Sequence, residues 1–129
     1  MWHDAMGGLF REAGRGPKTE FVPAVDVIED PEGYHFHFEI AGVAADSIEV
    51  QVEDDHLVVE AERKRPEWPK EAEVHRAERH YGAIRRSFIL PEDADREGVH
   101  AAYRDGVLEV TLSKRPETRP VKVKVEYEN

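Results

Sequence analysis

The sequence predicts an all-β sandwich, and three observations carry that prediction. Apolar and polar residues alternate in run after run, turn-forming residues punctuate the runs, and helical periodicity is confined to the first sixteen residues. At 129 residues, 40% of them hydrophobic, the chain is long enough for one domain with a core and too short for two ordinary ones. The expected organisation is an arm over residues 1–22, a sandwich over 23–114 and an extension over 115–129.

The arm carries Trp2, Met6, Leu9 and Phe10 at i, i+4, i+7 and i+8, an apolar stripe of helical period. Gly7 and Gly8 interrupt it, at about 1 kcal/mol each relative to alanine, and Gly14 and Gly16-Pro17 end it. The stripe predicts a frayed amphipathic segment. From Pro23 the period becomes two. Tyr34, Phe36, Phe38 and Ile40 alternate with His35, His37 and Glu39, and Ile48, Val50 and Val52 with Glu49, Gln51 and Glu53. Leu57, Val59 and Ala61 form a third series, Ile84, Arg86, Phe88 and Leu90 a fourth, and Leu108, Val110 and Leu112 a fifth. Each reads as a strand with one buried face.

Between the strands, Asp30-Pro31-Glu32-Gly33 predicts a tight turn, Asp54-Asp55 a two-residue hairpin and Asp105-Gly106 a type I′ turn. Asp46 is placed to cap one helical turn, and residues 92–97 are expected to form another. Two segments do not fit a closed sandwich. Residues 63–72 are charged and hold Pro66 and Pro69, after which residues 74–80 resume a strand pattern. At the tail, Val121, Val123, Val125 and Tyr127 alternate with Lys122, Lys124 and Glu126. A lone alternating strand needs a sheet edge to complete it.

Charge and composition exclude several classes of function. The chain has no cysteine, which excludes disulfides, thiol catalysis and cysteine-ligated metal. No apolar run approaches the ~20 residues that span a bilayer, and the N-terminus lacks a basic region followed by an apolar one. A cytoplasmic protein without membrane or nucleic-acid partners is expected. Residues 1–62 hold 15 acids and 3 bases, and residues 63–129 hold 13 acids and 15 bases, so the acidic half repels phosphate backbones. The bases of Arg63-Lys64-Arg65 and Arg85-Arg86 lack interleaved aromatics and suit the acidic half of a partner subunit better. His35 and His37 share a strand face without an indicated third metal ligand, so no metal or other cofactor is expected. The carboxylate pairs fall in predicted exposed turns, Ser47, Ser87 and Ser113 lack a nucleophile context, and no phosphate-binding glycine loop is present. Nothing supports an enzyme.

Six pieces in order resemble the small heat-shock proteins, the α-crystallin family, over about residues 23–125. Pro23-Ala24-Val25-Asp26-Val27-Ile28-Glu29 is similar to the family's first strand, Pro-x-x-Asp-hydrophobic-x-Glu. Glu39-Ile40-Ala41-Gly42-Val43 resembles its Pro-Gly-Val turn, with Ala41 at the proline, and Glu62-Arg63 closes a strand as its Gly-Glu-Arg does. Residues 81–91 follow Gly-x-Phe-x-Arg-x-Phe-x-Leu-Pro, with Ile84 for the first Phe, and residues 101–108 follow Ala-x-x-x-Asn-Gly-Val-Leu, with Asp105 for Asn. The tail resembles the family's Ile-x-Ile motif, with valines at Val121, Val123 and Val125.

The resemblance implies an immunoglobulin-like α-crystallin domain and an ATP-independent holdase that keeps partly unfolded clients from aggregating, with hand-over to ATP-dependent chaperones. It implies a homodimer in which a strand near 74–80 is exchanged and pairs with the first strand. The dimer interface would then use Val25, Val27, Val74, His75, Arg76, Glu78 and Arg86. The tail would dock in an edge groove of a neighbouring subunit, less strongly because each Ile→Val loses about 0.8 kcal/mol of burial. With a 22-residue arm as well, a dimer or small oligomer of dimers is expected. Client surfaces would be the arm (Trp2, Met6, Leu9, Phe10 and, next to it, Phe21) and a groove of Ile48, Val50 and Val52 with a contribution from Ala102. Alternation alone equally admits the Ile48 series as core. The alternative function is a CS-domain-like co-chaperone adaptor for one folded chaperone partner.

Overall fold

A computed structural model describes residues 12–14, 21–118 and 120–128. Its strands are β1 (Glu12–Gly14), β2 (Val25–Asp30), β3 (Gly33–Glu39), β4 (Glu49–Glu53), β5 (His56–Arg63), β6 (Gly82–Ile89), β7 (Ala94–Arg104) and β8 (Val107–Lys114). They form two antiparallel four-stranded sheets, ordered β1-β6-β5-β4 and β2-β3-β8-β7. This is the β-sandwich the alternation predicts.

Each sheet turns one side chain in two toward the other. Phe36, Phe38, Leu108, Val110 and Leu112 from one meet Leu57, Val59, Ile84 and Phe88 from the other, all buried. The Phe88 ring lies tilted against Phe36 and Phe38, with centroids 5.3 and 6.1 Å away, an arrangement that favours edge-to-face contact.

The turns set the register that keeps these residues inward. Asp30 Oδ1 accepts from the backbone N–H groups of Glu32 and Gly33 at 2.8 and 2.9 Å. Gly33 then passes so close to β8 that an added Cβ would lie 2.3 Å from the Leu112 carbonyl oxygen. Asp105 and Gly106 take φ of 55° and 76°, as a type I′ turn requires. The Gly106 carbonyl accepts from the Ile40 N–H at 2.9 Å.

Several local expectations change. Residues 92–97 are not helical, since β7 begins at Ala94 with an irregular register before Val99. Asp95 accepts from the Glu97 N–H, and the polar run belongs to an exposed sheet edge, which blurs its alternation. Asp46 lies inside the 3₁₀ turn Ala45–Ser47, whose N-cap is Ala44. Residues 12–14, expected at the end of a helix, form a strand on β6 because an open backbone edge and Arg86 are there to receive them. Trp2, Met6, Leu9 and Phe10 lie outside the described residues. Phe21 is core rather than client surface: it is buried under the Arg63 guanidinium, 4.6 Å from its ring centroid.

Gly33→Ala is expected to cost about 1–3 kcal/mol by overpacking against a backbone oxygen, read as a lower urea midpoint. The His35 side chain and the two turn amides hold the Asp30 carboxyl below its ordinary value. A lowered folded-state value contributes stability that is complete above about pH 4 and is lost as pH falls through that value. The stability gap between the parent and Asp30→Asn should therefore close below about pH 4, checked by urea unfolding across pH.

Candidate interaction surfaces

An open sheet leaves unpaired backbone groups on its outermost strands. Here those strands are β1 and β4 in one sheet and β2 and β7 in the other. Their relative placement follows from Arg86, which points inward from β6. Its Nη1 donates to the Pro23 carbonyl at 2.9 Å, just ahead of β2. The β1–β6 side of one sheet thus lies over the β2 side of the other, and β4 and β7 share the opposite side.

On the β4 side, Ile48, Val50 and Val52 are half-buried and pack against the core, open to solvent along one flank. From β7, Val99 and Tyr103 join them, and the Tyr103 hydroxyl donates to the Ile40 carbonyl at 2.9 Å. Register corrects the expected contribution of Ala102. It stands opposite Glu109 on the outer face, whereas Val99, Ala101 and Tyr103 stand opposite the inward Leu112, Val110 and Leu108. The Val99, Ala101, Tyr103 alternation was present in the sequence but faint beside the stronger runs.

On the β2 side, Val25 and Val27 face inward and are half-buried, and β3 is the strand that β2 pairs with. Residues 64–81 form no strand within the single chain, although residues 74–80 carry a strand pattern. Their ends are pinned. Arg63 donates to the carbonyls of Ala41 and His80 at 2.7 and 2.8 Å, and Arg65 and Arg79 flank the Tyr81 ring. The middle stands off the body. Trp68 is 68% and Val74 69% exposed, and His75, Arg76 and Glu78 are also exposed, with Arg76 and Glu78 3.7 Å apart. One chain does not bring these residues onto Val25 and Val27.

Arg86 is buried and engaged within its own chain through all three of its nitrogens. Nε and Nη2 grip the Glu12 carboxylate, both at 2.9 Å, and the guanidinium covers the Phe88 ring. The bidentate pair holds β1 on the β6 edge and, through Pro23, locates the start of β2. Arg85 pairs with Glu60. These cations, expected to meet a partner's acids, meet acids and carbonyls of their own chain, because cross-strand register puts those groups nearer.

A second polar cluster closes the other end of the β2-β3-β8 layer. Tyr34 donates to Asp93, and Lys114 Nζ reaches Glu29 at 2.7 Å while lying over the Tyr34 ring. Burial and the Asp93 bond raise the Tyr34 phenol above its ordinary range, and the Glu29 bond raises Lys114. Both groups hold their protons: Tyr34 ties Asp93 to β3, and Lys114 ties β8 to Glu29 of β2.

His35 and His37 turn to separate acids: His35 Nε2 lies 2.8 Å from Asp30 and His37 Nε2 3.8 Å from Glu109. Among the described residues, no three histidines or acids are grouped to hold a metal. Among these residues, too, no helix is long and apolar enough to cross a membrane. The tail forms no strand over residues 120–128, and Val121, Val123 and Val125 are 81%, 77% and 88% exposed.

A model of the Hsp20/alpha crystallin family matches residues 26–126. The chain belongs to that family. It is 40% identical over 109 residues to the 17.9 kDa class II heat shock protein of Glycine max, covering 84% of this chain and 69% of that one. It is 37% identical over 113 residues to spore protein SP21 of Stigmatella aurantiaca, covering 88% and 67%. Among solved structures, the small heat-shock protein of Xylella fastidiosa superposes with a TM-score of 0.72 at 33% identity, over 84% of this chain and all (100%) of that one. The hspA structure from Xanthomonas axonopodis gives 0.68 at 37% identity, over 76% and 98%. Membership supports a chaperone role, in a family of small heat-shock chaperones rather than enzymes.

In this small heat-shock protein, Arg86→Ala should cost about 3 kcal/mol, near the low end for a broken buried pair because Glu12 can turn to solvent. Glu12→Gln should cost less, since an amide oxygen still accepts from the guanidinium. Urea midpoints test the order, and faster hydrogen exchange at Ser87 and Phe88 tests the loosening of β1.

Proposed function

We propose that this chain is an ATP-independent holdase that binds partly unfolded proteins and keeps them from aggregating under stress. One observation carries the reading: among the described residues, apolar edges lie uncovered beneath a strongly charged surface. Val25 and Val27 border one open edge, Ile48, Val50 and Val52 another, and Trp68, Val74 and the tail valines stand in solvent. A client's exposed apolar surface gains about 25 cal/mol per Å² by covering such edges, while a net charge of -10 keeps the complex dissolved.

The working unit is a homodimer built by strand exchange. Residues 74–80 of one copy add to β2 of the other, placing Val74, His75, Arg76 and Glu78 beside Val25 and Val27. Arg86 contributes indirectly, by fixing Pro23 and the start of β2. The tail, through Val121, Val123 and Val125, docks on the β4 side of a neighbouring dimer, giving a small oligomer of dimers. The arm, through Trp2, Met6, Leu9 and Phe10, supplies a second client surface. The protein acts in the cytoplasm and hands clients to ATP-dependent chaperones.

The test is light scattering of unrelated heat-denatured proteins without nucleotide. A holdase suppresses it at near-stoichiometric amounts. Failure there, with saturable binding to one folded chaperone, would instead assign the CS-domain-like adaptor role. Mass in solution should be an even multiple of the 14.8 kDa chain, and a monomer at micromolar concentration would sink strand exchange. Deleting residues 1–17 should weaken client protection several-fold while leaving most of the melting temperature. The deletion also removes the Glu12 clip, so Glu12→Gln serves as the stability control.

A further inference from the structure

The outer face of the β4–β5–β6 sheet carries a row of charge that stops short. Register sets Arg85 opposite Glu60, and Glu60 opposite Glu49. Arg85 Nε reaches Glu60 Oε1 at 3.1 Å, so the β5 carboxylate is paired. Glu49 is exposed and has no cationic partner among the described residues. It faces another carboxylate across the strand pair, an unfavourable arrangement. The row runs cation, anion, anion, and ends at the open β4 edge. A strand that added to β4 with a cation in this row would complete it.

The tail has that composition. Val121, Val123 and Val125 alternate with Lys122 and Lys124, while β4 and the residue before it alternate Ile48, Val50 and Val52 inward with Glu49, Gln51 and Glu53 outward. Antiparallel addition with Val123 opposite Val50 sets Val121 opposite Val52 and Val125 opposite Ile48. On the outer face it sets Lys124 opposite Glu49, Lys122 opposite Gln51 with Glu49 and Glu53 on its diagonals, and Glu126 opposite Ser47. Parallel addition with the same apolar match also sets a lysine, Lys122, opposite Glu49, but it brings Glu126 against Glu53. An antiparallel slip of two residues one way sets Glu126 against Glu49, and the other way leaves Val125 opposite Asp46. One alignment alone satisfies both faces.

We propose that the tail of a second copy adds to β4 antiparallel in this register, with Lys124 on Glu49 as the contact that fixes direction and alignment. The occupant is a second copy because the chain's own tail lies free of β4 with its valines exposed. The inference rests on the tail-docking reading: the valines supply the attraction, and the lysines select one alignment among those the valines permit.

The experiment mixes isotopically labelled and unlabelled full-length chains, joins touching lysines and carboxylates with a zero-length carbodiimide, and maps the links by mass spectrometry. The expected product is a Lys124–Glu49 link between labelled and unlabelled copies, with Lys122 linked to Glu53; a dominant Lys122–Glu49 link instead marks parallel addition and overturns the proposed direction. Links within one copy only, or links spread evenly over other acids, overturn the proposal. Lys124→Glu should weaken tail-dependent association about fivefold by sedimentation, and adding Glu49→Lys should restore it. No restoration overturns the pairing. A variant with Val121, Val123 and Val125 all changed to Ser separates the two levels by hydrogen exchange at β4. Unchanged exchange there means that the tail does not dock, and both ideas fall. Faster exchange, with Lys124→Glu without effect on association, retains docking and discards the selected alignment.

Discussion

Backbone donors and acceptors on the outermost strand of an open sheet have no partner within the sheet, and two four-stranded sheets leave four such edges. The faces of this sandwich are closed by phenylalanine, leucine and valine side chains in close contact. The edges cannot be closed in that way, because the missing partners are polar and point along the sheet. Each edge is therefore occupied by another segment or left available to one. The short β1 strand takes the β6 edge, while among the described residues no strand pairs with the outer side of β2, β4 or β7.

Arg86 shows how occupancy of one edge is coupled to geometry at another. A guanidinium on an inward position of a sandwich would be costly without partners, and its five donors demand several acceptors. Glu12 and the Pro23 carbonyl supply them. The same side chain thereby holds the β1 strand and sets the point from which β2 departs. Arg63 plays the parallel part at the base of the 64–81 excursion, holding Ala41 and His80 while the middle of that segment stays in solvent. Both arginines stiffen the frame around surfaces that are left uncovered.

The surface charge has a related logic. Where β5 lies between neighbours, Glu60 finds Arg85, and where β4 ends the sheet, Glu49 finds no counterpart among the described residues. Charged side chains on open edges hinder indiscriminate pairing, since an incoming strand must bring the complementary pattern. An acidic edge that admits an alternating Val-Lys segment and resists an acidic one is selective without any pocket.

Period-two alternation and the Asp-rich turns were sufficient to establish the sandwich, the hairpins at Asp54-Asp55 and Asp105-Gly106, and the inward residues of β3, β5, β6 and β8. These are local properties, because alternate side chains on a strand point to opposite faces and left-handed turn positions favour Asp and Gly. The edge strand β7 was obscured, because a strand packed on one flank only tolerates polar residues at irregular intervals. Register across strands was not legible either. Whether Ala101 or Ala102 faces inward, and whether Arg85 and Arg86 meet their own chain or another, depend on which residues come opposite each other once two sheets have packed. Periodicity, turns and the supply of valines and charges follow from the linear order of residues alone. Tertiary structure decided which edges stay open and which charges find partners, because those outcomes depend on contacts between residues far apart in the chain.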